Sequence, residues 1–275
     1  MMHIQPIFRE VAALCAWLVI LSVIFVPLER LFALRPNTIW RPAILQDLGY
    51  YFFNGIAAAL ILAIPISWAI AGSHEIMPDA YLNWVGALPI WATILATFLV
   101  GEIGFYWGHR WSHEWGPLWY FHAVHHQPTH LDFLVNTRAS PVDIIFTRLC
   151  GLMPVYLLGL GNPNTSSGQI APLLLLIGGK IWSFFIHANL RWRLGWFEKI
   201  LSSPRFHHWH HARLGPINRN YAPMVPFVDK LFGTHHLPDN GSWPERYGIR
   251  TRDEEDGGKA VDDRTNAFRP SHRKS

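Results

Sequence analysis

Charge is scarce along this chain and cysteine is almost absent. Of 275 residues only 15% are charged, and the two cysteines, Cys15 and Cys150, fall in or beside apolar stretches. A disulfide framework and a thiolate zinc site are therefore excluded, and both cysteines read as buried small hydrophobes. The formal net charge is +4, with Lys and Arg scattered between apolar segments. No basic face with interleaved aromatics forms, so nucleic acid is not a partner. The chain also lacks a Gly-x-Gly-x-x-Gly nucleotide loop, a haem-domain motif, a His-Glu-x-x-His metalloprotease motif and any repeat of the solenoid kind.

What is present is apolar and rich in histidine. Half of the residues are hydrophobic and 14 are Trp, a composition that points to a membrane protein. About twenty apolar residues suffice to cross a bilayer as a helix. Three early stretches qualify: residues 11–26, 48–71 and 84–107. Arg9 is offset by Glu10, and no small-residue cleavage site follows the first stretch, so it reads as a retained anchor. Arg30, Arg35 and Arg41 follow the first span, whereas residues 72–81 carry no Lys or Arg. By the positive-inside rule the first loop is cytoplasmic, and the third span returns to the cytoplasm near Trp107. A further hairpin is expected over 144–160 and 170–186, although Arg148 and Lys180 also allow these segments to lie partly in the interface. Beyond Arg191 the chain reads as a cytoplasmic cap, and from Thr251 as a disordered charged tail. The expected fold is all-α: an integral membrane protein of transmembrane hairpins under a histidine-rich helical cap. Residues 1–100 form an N-terminal membrane region, 101–250 the catalytic domain and 251–275 the tail.

The 16 histidines are grouped. His109 and His113 stand four residues apart, one helical turn, so both imidazoles share a face. His122, His125 and His126 repeat that logic, as do His207, His210 and His211. Neighbours such as His125 and His126 point about 100° apart on a helix, awkward for one ion and suited to two. Imidazole suits iron, copper, nickel and zinc. Eight ligands exceed what one ion takes, so two ions are expected.

These boxes, His-x-x-x-His followed by two His-x-x-His-His, resemble the fatty acid hydroxylase and sterol desaturase superfamily. The likeness runs from about Gly101 to Gly248. It includes Tyr106-Trp107-Gly108-His109-Arg110, Leu118-Trp119, Ser203-Pro204-Arg205-Phe206, Asp229-Lys230-Leu231-Phe232-Gly233-Thr234 and Pro244-Glu245-Arg246-Tyr247-Gly248. The resemblance implies two non-haem iron ions held at the cytoplasmic side by His109, His113, His122, His125, His126, His207, His210 and His211. It adds His187 as a ninth ligand, from an Ile186-His187-Ala188-Asn189 element, with Asn189 as a water-mediated neighbour. Where the family often has Asp seven residues before the first box, this chain has Glu102, expected to orient a ligand imidazole. Where the family often has His after the second box, it has Ser140.

The other histidines read otherwise: His208 rotated away from the ligands, His130 cut off by Pro128, His235 and His236 at the surface. Arg110 and Arg138 read as interface anchors or lipid-phosphate contacts. The resemblance implies oxygen-dependent hydroxylation or desaturation of a lipid or sterol in a multi-pass membrane protein, with the bacterial inner membrane as the expected location. Electrons must then come from a separate ferredoxin or cytochrome with its reductase, docking at Arg191, Arg193, Lys199 and Arg205. Two other readings remain open on the residues alone. A membrane zinc hydrolase would want a carboxylate inside a box, and Glu114 lies just outside the first. A metal transporter or store would want polar residues along the spans, and the first three spans have few.

Overall fold

The computed structural model describes residues 4–36 and 38–250, so the predicted tail lies outside the described residues. The described chain is helical, with two isolated antiparallel bridges and no named strand. In chain order the helices are α1 (Ile4–Leu31), α2 (Ile44–Ile76), α3 (Asp79–Gly86), α4 (Ile90–Glu114), α5 (Gly116–His126), α6 (Pro141–Leu157), α7 (Ser166–His187), α8 (Pro204–His210) and α9 (Pro226–Leu231). Short 3-10 turns at Phe133–Thr137 and Gly195–Lys199 join them.

Four helices, α1, α2, α4 and α7, are long and apolar enough to cross a membrane. Their outward faces carry bare apolar side chains such as Val23 on α1, Trp68 on α2, Leu95 on α4 and Leu173 on α7. In water such faces would form an oversized apolar patch; lipid is their natural solvent. Cys15 belongs to this outer surface, exposed on α1 and not buried as expected, and Cys150 is half-buried. The predicted third span is two elements: Trp84 belongs to α3, and Pro89 sets off α4, which runs unbroken through the first histidine box. Of the predicted hairpin, α7 has spanning length, whereas α6, with 17 residues, stands at the lower edge of what a crossing needs.

Small residues let α4 and α6 meet backbone to backbone. A Cβ on Gly104 would lie 2.2 Å from the Cys150 carbonyl oxygen, and one on Gly151 would lie 2.6 Å from the Phe105 ring. This is the small-residue contact that membrane helices use in place of a hydrophobic driving force. At the end of the bundle that bears the histidines, buried ion pairs tie α2 to the 133–137 turn. Arg41 pairs with Asp47 at 2.7 Å and with Asp132, and Arg138 pairs with Asp47 at 2.5 Å. Arg138 is thus a buried tie and not an anchor for lipid phosphate. Asp132 also caps the turn, accepting from Leu134 N and Val135 N at 3.0 Å. Leu21 and Phe25 of α1, Phe133 and Leu134 of the turn and Phe184 of α7 form one apolar cluster beneath it.

Candidate metal centre

The nine histidines singled out in the sequence are gathered into two adjoining groups. His109, His113, His122, His126 and His210 form one; His125, His187, His207 and His211 form the other. Within each group one ligand atom per residue lies within 4.8 Å of all the others. Helix geometry sorts them. On α5, His122 and His126 share a face and enter the five-membered group, while His125 is turned into the four-membered one. The third box splits in the mirror sense: His207 and His211 enter the four-membered group, and His210 crosses to the other. α4 supplies His109 and His113 from its last turns, and α7 ends on His187. The groups abut, with the His126 and His211 rings stacked 4.3 Å apart.

Main-chain carbonyls fix the imidazole tautomers. A carbonyl oxygen only accepts, so each Nδ1 facing one carries the proton. His109 Nδ1 donates to Tyr221 O at 2.8 Å, His210 Nδ1 to Arg219 O at 2.8 Å, His125 Nδ1 to Arg138 O at 3.1 Å and His187 Nδ1 to Ser183 O at 2.7 Å. Their Nε2 atoms therefore present lone pairs to the centre. His125 Nε2 and His187 Nε2 nonetheless lie 3.1 Å apart, and His187 Nε2 lies 3.0 Å from His207 Nε2. Two lone pairs at that distance repel unless a cation lies between them. Buried His113 Nε2 and His210 Nε2 have no hydrogen-bond partner at all. These are the marks of a metal site, and an all-imidazole donor set suits a first-row transition ion.

Burial, followed by the neighbouring imidazoles, pushes His125 down to about 4 and holds His126, His207, His210 and His211 well below the usual imidazole range. At neutral pH these rings stay neutral, the form that binds metal.

A carboxylate not singled out in the sequence joins the centre. Asp143 Oδ1 on α6 faces His122 Nδ1 at 3.0 Å. Burial alone would raise this carboxyl, but the imidazole beside it holds it below its ordinary value. Asp229 acts one step further out. Its carboxylate accepts from Tyr221 N, Ala222 N and Thr234 Oγ1 at 2.7–2.8 Å, fixing the loop whose carbonyls orient His109 and His210. Burial raises its carboxyl to about 6.

The two residues expected to support the ligands from behind have other tasks. Glu102 Oε1 accepts from Met224 N and Val225 N at 2.8 and 2.6 Å, tying the loop to α4. Seven residues put it on the face of His109 but about 10 Å below. Asn189 donates to Arg35 O at 2.7 Å and accepts from Arg35 N at 3.1 Å, closing the loop after α1. His208 is sealed away: its Nε2 donates to Ala188 O at 3.1 Å, so its Nδ1 accepts from Tyr247 OH at 2.7 Å. His130, His235 and His236 lie in neither group; the last two are half-buried, with His236 edge-on to Trp209 at 4.9 Å. Arg110 is engaged by Glu114 at 2.9 Å and lies over the Trp107 ring. Arg205, expected at a docking surface, is buried against Glu198 at 2.6 Å, whereas Arg191, Arg193 and Lys199 are exposed.

The fatty acid hydroxylase family model matches residues 94–234, just over half of the chain and the segment that supplies all nine of these imidazoles together with Asp143 and Asp229. The chain belongs to the fatty acid hydroxylase family. Among its relatives is an ornithine lipid hydroxylase, OlsE, of Rhizobium tropici, 32% identical over 68% of this chain and 54% of that protein. An alkylglycerol monooxygenase of Danio rerio is 32% identical over 56% of this chain and 32% of that protein. A methylsterol monooxygenase of Arabidopsis thaliana is 28% identical over 54% of this chain and 55% of that protein. The chain thus spans about half the length, or less, of the curated relatives it matches. No solved structure matches it.

Proposed function

We propose that this family member is a membrane oxygenase that hydroxylates or desaturates a lipid or sterol, using molecular oxygen and two iron ions held by the nine imidazoles. The observation that carries this reading is the convergence of nine imidazoles in two adjoining all-histidine groups, with the opposed Nε2 lone pairs of His125 and His187 3.1 Å apart in one of them. Bound iron would supply the redox chemistry needed to break an unactivated C–H bond, which zinc lacks. The chain's own residues hold neutral imidazoles in fixed tautomers, set Asp143 behind His122, and use the buried cap to exclude water. The relatives, named as hydroxylases and monooxygenases of lipids and a sterol, support the same class.

A separate ferredoxin or cytochrome, served by a reductase, delivers the electrons. Its docking surface contains the exposed Arg191, Arg193 and Lys199. The positive-inside pattern favours a cytoplasmic centre in a bacterial inner membrane. A zinc hydrolase is less well supported, because neither histidine group contains a carboxylate and Asp143 is engaged with His122.

Elemental analysis of the iron-supplied, detergent-purified chain tests the reading, with oxidation of candidate lipids measured beside it. About two irons per chain with oxygen-dependent turnover is the expected result. One zinc with no iron would overturn the reading and favour the hydrolase.

A further inference from the structure

The cap that follows α7 has an apolar edge, made by the Gly195–Lys199 turn and α9, which lie side by side. Trp196, Phe197 and the following Ile200 are exposed on the first element. On the second, Phe227 and Leu231 are 61% and 62% exposed, and a spacing of four residues puts them on one face. The Trp196 ring is stacked on Phe197 at 4.0 Å. Ser202 N donates to Met224 O at 2.8 Å, which ties the two segments into one ledge. Charge is sorted along it. The acidic residues turn inward, Glu198 to Arg205 and Ser203, and Asp229 to the amides of Tyr221 and Ala222. Outward, each element shows a single cation, Lys199 on one and Lys230 on the other.

Hydrogen bonds to the spans fix the depth of this ledge. Trp182 Nε1 on α7 donates to Ser202 O at 3.0 Å, and Glu102 on α4 accepts from Met224 N and Val225 N. Trp182 lies about 7.5 Å to the membrane side of His187, and Glu102 about 10 Å to the membrane side of His109. Counted from the opposite ends of their helices, Ser166 and Ile90, these attachment points stand about 24 Å and about 18 Å along the axes. Both values fall within the roughly 30 Å of a bilayer's hydrocarbon, and tilt shortens them further. The ledge therefore hangs beside the spans, below the level of the histidines.

The exposed rows of the spans lead to it. Ile103 follows Glu102 and Ile181 precedes Trp182; both are exposed, as are Leu99 and Ile177 one turn below them. The lipid-facing surfaces of α4 and α7 thus end beside the ledge. A contiguous exposed apolar cluster marks an interaction surface, and Trp and Lys flanking apolar side chains are the composition of a membrane interface.

We propose that this ledge is inserted into the bilayer leaflet next to the histidine centre, with Trp196, Phe227 and Leu231 among the acyl chains and Lys199 and Lys230 at the phosphates. Lipid is the occupant because the face continues a surface that lipid already covers, and because its outward charges are cations that reach phosphate along apolar stems. The cap is then held to the membrane by its own edge as well as by the helices beneath it. Lys199 marks the border between the bilayer and the donor-docking surface at Arg191 and Arg193.

Site-directed fluorescence of the full chain in phosphatidylcholine nanodiscs tests the ledge. Trp196→Cys and Phe227→Cys, each in a Cys15→Ala, Cys150→Ala background, receive a polarity-sensitive label. Cys15, exposed on α1, is labelled in a Cys150→Ala chain as the lipid-facing reference. Phosphatidylcholine brominated along its acyl chains should quench the labels at positions 196 and 227 to an extent similar to the label on Cys15, while aqueous iodide leaves them bright. Strong quenching by iodide with none by bromolipid would overturn the insertion and leave the edge in water. Protection from both quenchers would also overturn it, and would assign the face to a second copy of the chain or to a protein partner. The readout is independent of iron and of turnover, so it separates this inference from the oxygenase reading.

Discussion

The two histidine groups are built from the same boxes yet differ in support. The five-membered group has a carboxylate at its edge, Asp143 against His122, and one imidazole more than a tetrahedral ion needs. The four-membered group has no carboxylate within it; carbonyls of Arg138 and Ser183 hold His125 and His187. A carboxylate behind a ligand raises its basicity, and a carbonyl mainly fixes its orientation. The five-membered group is therefore the more electron-rich and the more tolerant of losing a ligand. The four-membered group, which takes His187 from the end of α7, has no such reserve.

The largest test of this asymmetry is paired ligand removal. His125→Ala leaves three imidazoles in its group and should abolish metal binding there, lowering iron from about two per chain to about one and turnover by about 100-fold or more. His210→Ala leaves four in its group and should lower affinity without emptying it; metal content against free-iron concentration separates the two. Equal loss in both variants would break the comparison. A smaller effect is expected from Asp143→Asn, about 10- to 100-fold in affinity, confined to one of two resolvable binding steps in a titration.

His208→Gln tests a buried neighbour that belongs to neither group. Loss of its bonds to Tyr247 and Ala188 should cost about 1–3 kcal/mol of stability, seen in thermal unfolding, with iron content unchanged.

The smallest and most graded test is pH. His125, His208 and four other buried imidazoles have folded pKa values far below the unfolded value near 6.5. Above that pH both states are neutral and the stability is fully present. As pH falls below it, the unfolded chain takes up protons that the folded chain refuses, so stability is lost. Asp229, raised to about 6, works in the opposite sense below that pH, but it is one group against six. The metal-free chain should therefore melt at progressively lower temperature from pH 7 to pH 5. A flat profile would contradict the burial of these rings.

How much was legible in the sequence follows from the range of each interaction. The histidine spacing is a local property of a helix, so the division of His125 from His126 can be foreseen from 100° per residue. The membrane helices were legible from apolar length, although Pro89 and the continuity of α4 through the first box moved the edges of the third span. Asp143 was not legible, because its partner His122 lies on another helix and no spacing rule links them. Glu102 shows the opposite error: the right face of a helix, read without its rise, put a carboxylate beside an imidazole two turns away. Arg205 looked like surface charge only because its partner, Glu198, becomes a neighbour when the cap folds.

α4 is a single rod from Ile90 to Glu114, bearing His109 and His113 at the end of a membrane crossing. Bilayer thickness acts on such a rod by changing its tilt. Because Gly104 and Gly151 lock α4 to α6, which bears Asp143, a tilt would carry two ligands and the carboxylate behind a third in the same direction. A change in the acyl-chain length of the surrounding lipid would therefore reach the histidine groups through the tilt of one rod.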